Sequence, residues 1–276
     1  MTPIEKYNSI FVKREDLCFD PPAPPFSKCR GIIKYLEKLK SEGINLVGYT
    51  ETSISMAGWG LAWACHFLSM KAVIFDPQYK TKQELLEYHR TKWKEFKAET
   101  IPIKAGRAKV NWYLSKKILE KKYGRSAKML PLGLPLQETI DETAKELLIT
   151  LQSIEEIINT IIVCVGSGTI CAGIIKGLNY FVNYPAKVYG IMSRDGNLKL
   201  KEKIVLQKAG IMGKGFFGKN IKLEIINENW NYSDKSNFNC PFPCHPYYDL
   251  KAWEFTMNNI FQLKEPILFW NIGRLK

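Results

Sequence analysis

The chain has 276 residues, of which 46% are hydrophobic, 24% charged and 12% aromatic. That balance excludes intrinsic disorder, a collagen-like repeat and a disulfide miniprotein, and it supplies enough apolar bulk for one large domain or two intertwined smaller ones. A formal net charge of +13 raises the question of an anionic partner.

Phe11 to Lys13 is a candidate short strand, and Asp20 to Pro25 is a loop with four prolines. Ser27 suits an N-cap. The helix behind it carries Ile32, Ile33, Leu36 and Leu39 on one face before Gly43 ends it. Asn45 to Tyr49 reads as a strand, Met56 to Met70 as a mostly buried helix rich in Ala, Gly and Trp, and Lys71 to Phe75 as the next strand. A charged helix over Lys82 to Lys97, a strand over Thr100 to Lys104 and a helix over Ala108 to Lys122 follow. Pro131, Gly133 and Pro135 mark an irregular turn. Ile140, Ala144, Leu147, Leu148 and Leu151 share one face of a predicted long helix near Gln137 to Ile158. Thr160 to Val165 is a strand, a Gly-rich turn follows, and a helix starts about Thr169. Lys187 to Met192 is a strand, Asn227 to Pro246 a loop, Tyr248 to Gln262 a helix and Ile267 to Trp270 a last strand.

This alternation predicts an α/β protein with a largely parallel sheet. The loop breaks on either side make 45–128 a small inserted α/β domain and leave 1–44 plus 129–276 as the larger one. No apolar run reaches the roughly 18–20 residues needed to span a bilayer. Met1 to Glu15 lacks a continuous hydrophobic stretch, so a secretory signal is not expected and a cytoplasmic location is. Seven cysteines form an odd count, and Cys65, Cys164 and Cys171 lie in apolar runs, as free thiols in a reducing compartment do. Cys240, Cys244 and His245 lack the second ligand pair a structural zinc needs, so no metal is expected.

Lys104 to Lys128 holds nine basic residues and one acid, Glu120. A nucleic-acid surface is one reading. The favoured one is a solvated helix face, because Trp112, Tyr113, Ile118 and Leu119 suggest an apolar stripe and no recognition motif accompanies the charge.

Two stretches carry chemistry. Val165-Gly166-Ser167-Gly168-Thr169, then Ala172-Gly173, follows an apolar strand and opens a helix. Small residues there let backbone amides and the helix dipole bind an anion at the carboxyl end of a parallel strand. The third glycine falls one place too late for a dinucleotide fingerprint, and no Gly-Lys-Ser/Thr follows, so the cradle is for a phosphate of another kind. The second stretch is Lys13-Arg14-Glu15-Asp16-Leu17 followed by Phe26-Ser27-Lys28-Cys29-Arg30-Gly31. Lys28 starts a helix, where the dipole disfavours a cation. It is either an amine nucleophile or a solvated lysine at a frayed helix end.

Lys-Arg-Glu-Asp-Leu, a loop, and Ser-Lys-x-Arg-Gly at a helix start resemble the tryptophan-synthase-β (fold type II) family of pyridoxal-phosphate enzymes. The chain is most similar to its aminocyclopropane-carboxylate deaminase and D-cysteine desulfhydrase branch, in element order over nearly the whole chain. The resemblance implies two open, mostly parallel twisted sheets flanked by helices, pyridoxal 5'-phosphate as cofactor, and Lys28 as its Schiff-base lysine. It makes Gly166, Ser167, Gly168 and Thr169 the cofactor's phosphate loop. His245-Pro246-Tyr247-Tyr248-Asp249-Leu250-Lys251-Ala252 resembles the family's Tyr-x-x-Lys-Ala segment and places Tyr248 in the active site as a catalytic residue. Leu268 to Gly273 resembles the final strand beside the pyridine ring, so Asn271 is expected to bind cofactor. Thr52, Ser53 and Ser55, between a strand and a helix, are candidates for the substrate carboxylate, with plain helix capping as the other reading.

Three departures stand out. Met56 occupies the place of the family's asparagine. Asn271-Ile272-Gly273-Arg274 replaces His-Thr-Gly-Gly. Three residues follow Gly273, so the usual C-terminal tail is expected to be nearly absent. The resemblance implies a lyase or deaminase acting on a small amino acid by elimination, deamination or β-replacement, as a homodimer. The alternative is a catalytically altered relative that binds a phosphorylated ligand, nucleotide or nucleic acid through its basic surface.

Overall fold

The computed structural model describes residues 1–181, 184–211 and 222–275. In chain order the elements are β1 (Ile4–Tyr7), β2 (Ile10–Arg14), α1 (Lys28–Ser41), β3 (Leu46–Thr50), α2 (Ala57–Phe67), β4 (Lys71–Gln78), α3 (Glu84–Glu95), β5 (Glu99–Lys104) and α4 (Ala108–Tyr123). They continue with β6 (Ala127–Met129), α5 (Gln137–Ser153), β7 (Thr160–Val165), α6 (Thr169–Leu178), β8 (Lys187–Met192), α7 (Leu198–Lys208), β9 (Lys222–Ile226), α8 (Asp249–Asn258) and β10 (Ile267–Asn271). The fold is α/β, with two mostly parallel sheets flanked by helices. The chain divides into two compact units, one of Met1–Asp20, Pro25–Ser27 and Gln137–Lys276, the other of Pro21–Pro24 and Lys28–Leu136.

The first unit holds a six-stranded sheet in the order β1-β2-β10-β7-β8-β9. All neighbours run parallel except the edge pair β1–β2. Every residue of β7 and β10 is buried, as expected of parallel strands covered on both faces. Alternate side chains serve opposite cores. Ile161, Val163, Leu268 and Trp270 join Ile140, Leu147, Ile170 and Ile174 on one face. Ile162, Cys164, Ile267 and Phe269 join Leu250, Trp253 and Phe255 on the other.

The second unit holds a four-stranded parallel sheet in the order β5-β4-β3-β6. α2 buries every residue from Ala57 to Cys65, in keeping with its apolar composition. The stripe expected on α4 is different. Its buried side is Asn111, Ser115 and Leu119, an i, i+4 row, while Tyr113 is 62% exposed and Ile118 38%. Polar anchors decide the rotation: Asn111 Nδ2 donates to Lys104 O at 3.1 Å and Trp112 Nε1 to Leu130 O at 2.7 Å.

The long helix near Gln137 stops at Ser153, whose hydroxyl donates to Thr150 O at 2.9 Å; Ile154 and Ile158 enter the core from the irregular chain after it. The last helix ends at Asn258, before a 3-10 turn over Ile260–Gln262. None of the seven cysteines, all among the described residues, is in a disulfide. Among the described residues no helix is long and apolar enough to cross a membrane.

The α5–α6 contact sets the position of the turn before α6. A Cβ on Gly173 would meet Thr143 Cβ at 2.5 Å and Ile140 O at 2.8 Å, and backbone there has nowhere to go. Gly173→Ala is therefore expected to cost about 2 kcal/mol of stability by overpacking. A urea titration checks this, and a wild-type midpoint would show that α5 and α6 separate freely.

Candidate active site

The candidate residues divide between the two units. Gly166, Ser167, Gly168, Thr169, Asn271 and Tyr248 belong to the first; Lys28, Thr52, Ser53 and Ser55 belong to the second.

In the first unit, β7 ends at Val165 and α6 begins at Thr169, which leaves Gly166, Ser167 and Gly168 as a turn at the carboxyl edge of the sheet. Gly168 has φ of +80°, which side chains disfavour, and a Cβ on it would meet Val205 Cγ2 at 3.0 Å. α6 points its first-turn amides and positive dipole end at this turn. The Ser167 and Thr169 hydroxyls lie 2.9 Å apart. Two lysines of α7 reach the same place. Lys201 Nζ donates to Gly166 O at 2.6 Å, and Lys208 Nζ donates to Ser167 O at 2.5 Å with Thr169 Oγ1 at 3.4 Å. Burial, with added repulsion from Lys201, pulls the Lys208 amine down to about 8. Sequence reading missed α7, because Val205 is its one buried residue and its lysines break any apolar period.

Asn271 closes β10 beside Arg14 of β2, at the same edge of the sheet. Its Nδ2 donates to Asp16 Oδ1 at 3.0 Å and to Pro243 O at 2.9 Å. That orientation leaves Oδ1 buried without a partner. Arg14 forks onto Asp16 and also donates to both oxygens of Glu5 at 2.8 Å. Arg274 faces Asp16 at 3.5 Å. Asp249, fully buried at the start of α8, accepts from the Ile272 amide at 3.1 Å. Burial outweighs the Ile272 and Gly273 amides and pushes its carboxyl up to about 8. Tyr248 immediately precedes α8; its hydroxyl lies 3.3 Å from that of Tyr232 and its ring 4.8 Å from His245. Lys251 of the same segment donates to Ser193 O at 2.8 Å, bracing the chain after β8.

In the second unit, Lys28 is the first residue of α1, with no acid in the first turn. Its Nζ donates to Gly133 O at 2.8 Å, and the Gly133 amide donates to the Tyr49 hydroxyl at 3.2 Å. The irregular turn at Pro131–Pro135 thus meets both the lysine and the end of β3. Thr52, Ser53 and Ser55 occupy the segment between β3 and α2, where Glu51 organises the backbone. Thr52 N donates to Glu51 Oε1 at 2.9 Å and Gly58 N to Oε2 at 2.6 Å, while Ser55 Oγ accepts from Ala57 N at 3.1 Å. Ser55 thus braces the first amide of α2 from one residue ahead of the N-cap, Met56. Ile54 and Met56 turn their apolar side chains into the interior. Glu51 was not singled out by sequence reading, although an acid between a strand and a Ser/Thr-rich helix entry is a visible signal.

No family model matches the chain. It is 32% identical, over 285 residues covering 99% of this chain and 98% of the other protein, to the glycyl-dTMP PLP-dependent decarboxylase of Pseudomonas phage M6. The chain belongs to the fold type II pyridoxal-phosphate enzymes. Its cofactor is pyridoxal 5'-phosphate. Solved structures agree on the fold. An ACC deaminase homologue superposes with a TM-score of 0.77 at 19% identity, covering 96% of this chain and 84% of that one. A hydrogen sulfide-producing enzyme from Fusobacterium nucleatum superposes at 0.67 and 16% identity, covering 100% and 95%.

Glu51 has a consequence for stability. Burial, with repulsion from Asp76 adding to it, raises its carboxyl to about 8 against the donors from Thr52, Gly58 and Ser55. A raised acid binds its proton more tightly folded than unfolded. Its contribution is complete below pH about 4.5 and is lost as pH rises through about 8. Glu51→Gln is expected to flatten the fall in stability between these limits by up to about 1.4 kcal/mol per pH unit. Urea unfolding of wild type and variant at several pH values measures it; identical slopes would mean Glu51 is ionised throughout.

Proposed function

We propose that this enzyme is a decarboxylase that removes the carboxylate of a glycyl group carried on a thymidine nucleotide. The observation that carries the reading is the 32% identity to the phage decarboxylase along almost the full length of both chains. A structural feature supports it. Deamination and elimination keep the substrate carboxylate, so a clamp of backbone amides on it costs nothing. Decarboxylation turns that carboxylate into neutral CO2, and a clamp that favours the charged ground state slows the step. Here the Thr52 and Gly58 amides are committed to Glu51.

The residues fit the cofactor. The turn at Gly166–Thr169 opens a ten-residue helix, whose first-turn amides are a donor set suited to a phosphate. The orphaned Asn271 Oδ1 is a fixed acceptor for the cofactor's ring. Lys28 is a primary amine in a helix's first turn. When bound, pyridoxal phosphate supplies an electron sink for the pair left as a bond to the substrate's α-carbon breaks. Lys28 would hold the cofactor through its aldehyde, and its amine would be the group that returns a proton to the substrate's α-carbon. Gly166, Ser167, Gly168 and Thr169 hold the cofactor phosphate. The Thr52 and Ser53 hydroxyls orient the carboxylate without neutralising it, and Tyr248, hydrogen-bonded to Tyr232, holds a proton at its hydroxyl. A substrate phosphate gives the +13 charge a use in drawing nucleotide to the protein.

Purified protein with pyridoxal phosphate and glycyl-dTMP is expected to release CO2, with a matching loss in product mass. Ammonia or a keto acid from small free amino acids, without CO2, would return the chain to the deaminase and elimination reading. Borohydride reduction followed by peptide mapping is expected to place the cofactor on Lys28, and label on a different lysine would sink that assignment.

A further inference from the structure

Three sources of positive charge converge on the turn at Gly166–Thr169: Lys201, Lys208 and the N-terminal end of α6. Lysines belong at helix C-termini, so two of them here are unfavourable unless an anion joins them. Among the described residues no carboxylate pairs with either. Burial and nearby positive charge lower both amines, with Arg194 acting on Lys201 and Lys201 on Lys208.

Their targets are specific. Lys201 holds the carbonyl of Gly166, which shares a peptide with the Ser167 amide. Lys208 holds the carbonyl of Ser167, which shares a peptide with the Gly168 amide. A trans peptide is planar, so its N–H points opposite to its C=O. Each lysine therefore fixes the direction of the next amide and polarises it as a donor. Both lysines sit on α7 seven residues apart, two helical turns, which puts them on one face.

We infer that Lys201 and Lys208 are positioning residues for the cofactor phosphate: by capturing two turn carbonyls they aim the Ser167 and Gly168 amides at it. This rests on reading Gly166–Thr169 as the phosphate cradle. The lysines act through the backbone and through their charge, and they require no contact with the reacting carbon.

The test compares the affinities of the apo-protein for pyridoxal phosphate and for pyridoxal, which lacks the phosphate, by absorbance titration. Wild type is expected to prefer pyridoxal phosphate, and Gly168→Ala to lose much of that preference. The Lys201→Gln/Lys208→Gln protein is expected to bind pyridoxal phosphate at least roughly tenfold more weakly, with pyridoxal affinity within about twofold of wild type. The phosphorus NMR shift of bound cofactor should move with the variant. If wild type shows no preference, or Gly168→Ala keeps all of it, the cradle reading fails and the lysine role falls with it. If Gly168→Ala loses the preference but the lysine variant keeps it, the cradle stands and the lysine role is overturned. An equal loss for both ligands also overturns it, since that is what a merely structural contact does. Should the double variant not fold, Lys201→Gln alone, on the more exposed lysine, gives the same comparison.

Discussion

A peptide cannot turn its carbonyl one way without turning the following amide the other. Much of the first unit is arranged around that constraint at Gly166–Gly168. β7 must be central and buried to hold the turn at a fixed height on the sheet edge. Gly168 must be left-handed for the chain to pass into α6. α6 in turn sits deep against α5, since Gly173 and Gly177 permit the backbones to approach. α7 then brings Val205 beneath Gly168 and two lysines onto the exposed carbonyls. Strand, helix and lysines are separate elements of sequence that serve one orientation of two peptide groups.

The rest of that sheet edge is rich in buried charge, and the charges are mutually satisfied. Arg14 links Glu5 and Asp16, and Asp16 receives Asn271. Lys13, fully buried, pairs with Glu146 at 2.7 Å and donates to Thr2 O at 2.7 Å. Such networks contribute little net stability compared with apolar packing, but a partner removed leaves a stranded charge. Their effect is to specify geometry. Asn271 has one orientation that satisfies Nδ2 against two acceptors, and that orientation leaves Oδ1 buried without a partner.

The strands with uninterrupted β-branched or aromatic runs, β7 and β10, were legible in the sequence, as were the helices with a clear apolar face, α1 and α5. What escaped has a physical reason in each case. β6 is three residues long. β1 reads Ile-Glu-Lys-Tyr because it is a half-exposed edge strand. α7 buries only Val205. Of the stripe expected on α4, Leu119 is buried and Trp112 packs against the same cluster, while Tyr113 and Ile118 are exposed. At the candidate site, residue types and chain order pointed to Lys28 and the glycine turn. Lys201 and Lys208 were illegible because their role depends on tertiary placement, two ammonium groups that collect two carbonyls; Glu51, whose carboxyl collects two amides, stood at a visible position and was passed over.

These two groups of contacts are opposite in sign and follow the same logic. At Gly166–Thr169 lysines take the carbonyls, so the amides of the same peptides are polarised as donors. At Thr52–Gly58 the Glu51 carboxyl takes the Thr52 and Gly58 amides, and Ile54 and Met56 are buried. An enzyme that retains its substrate's carboxylate gains from amides at that helix entry. One that must let the carboxylate leave as a neutral molecule gains from their removal, because ground-state charge stabilisation is lost at the transition state. On the proposed reading, the departures at this segment go with a change in which bond to the α-carbon is broken.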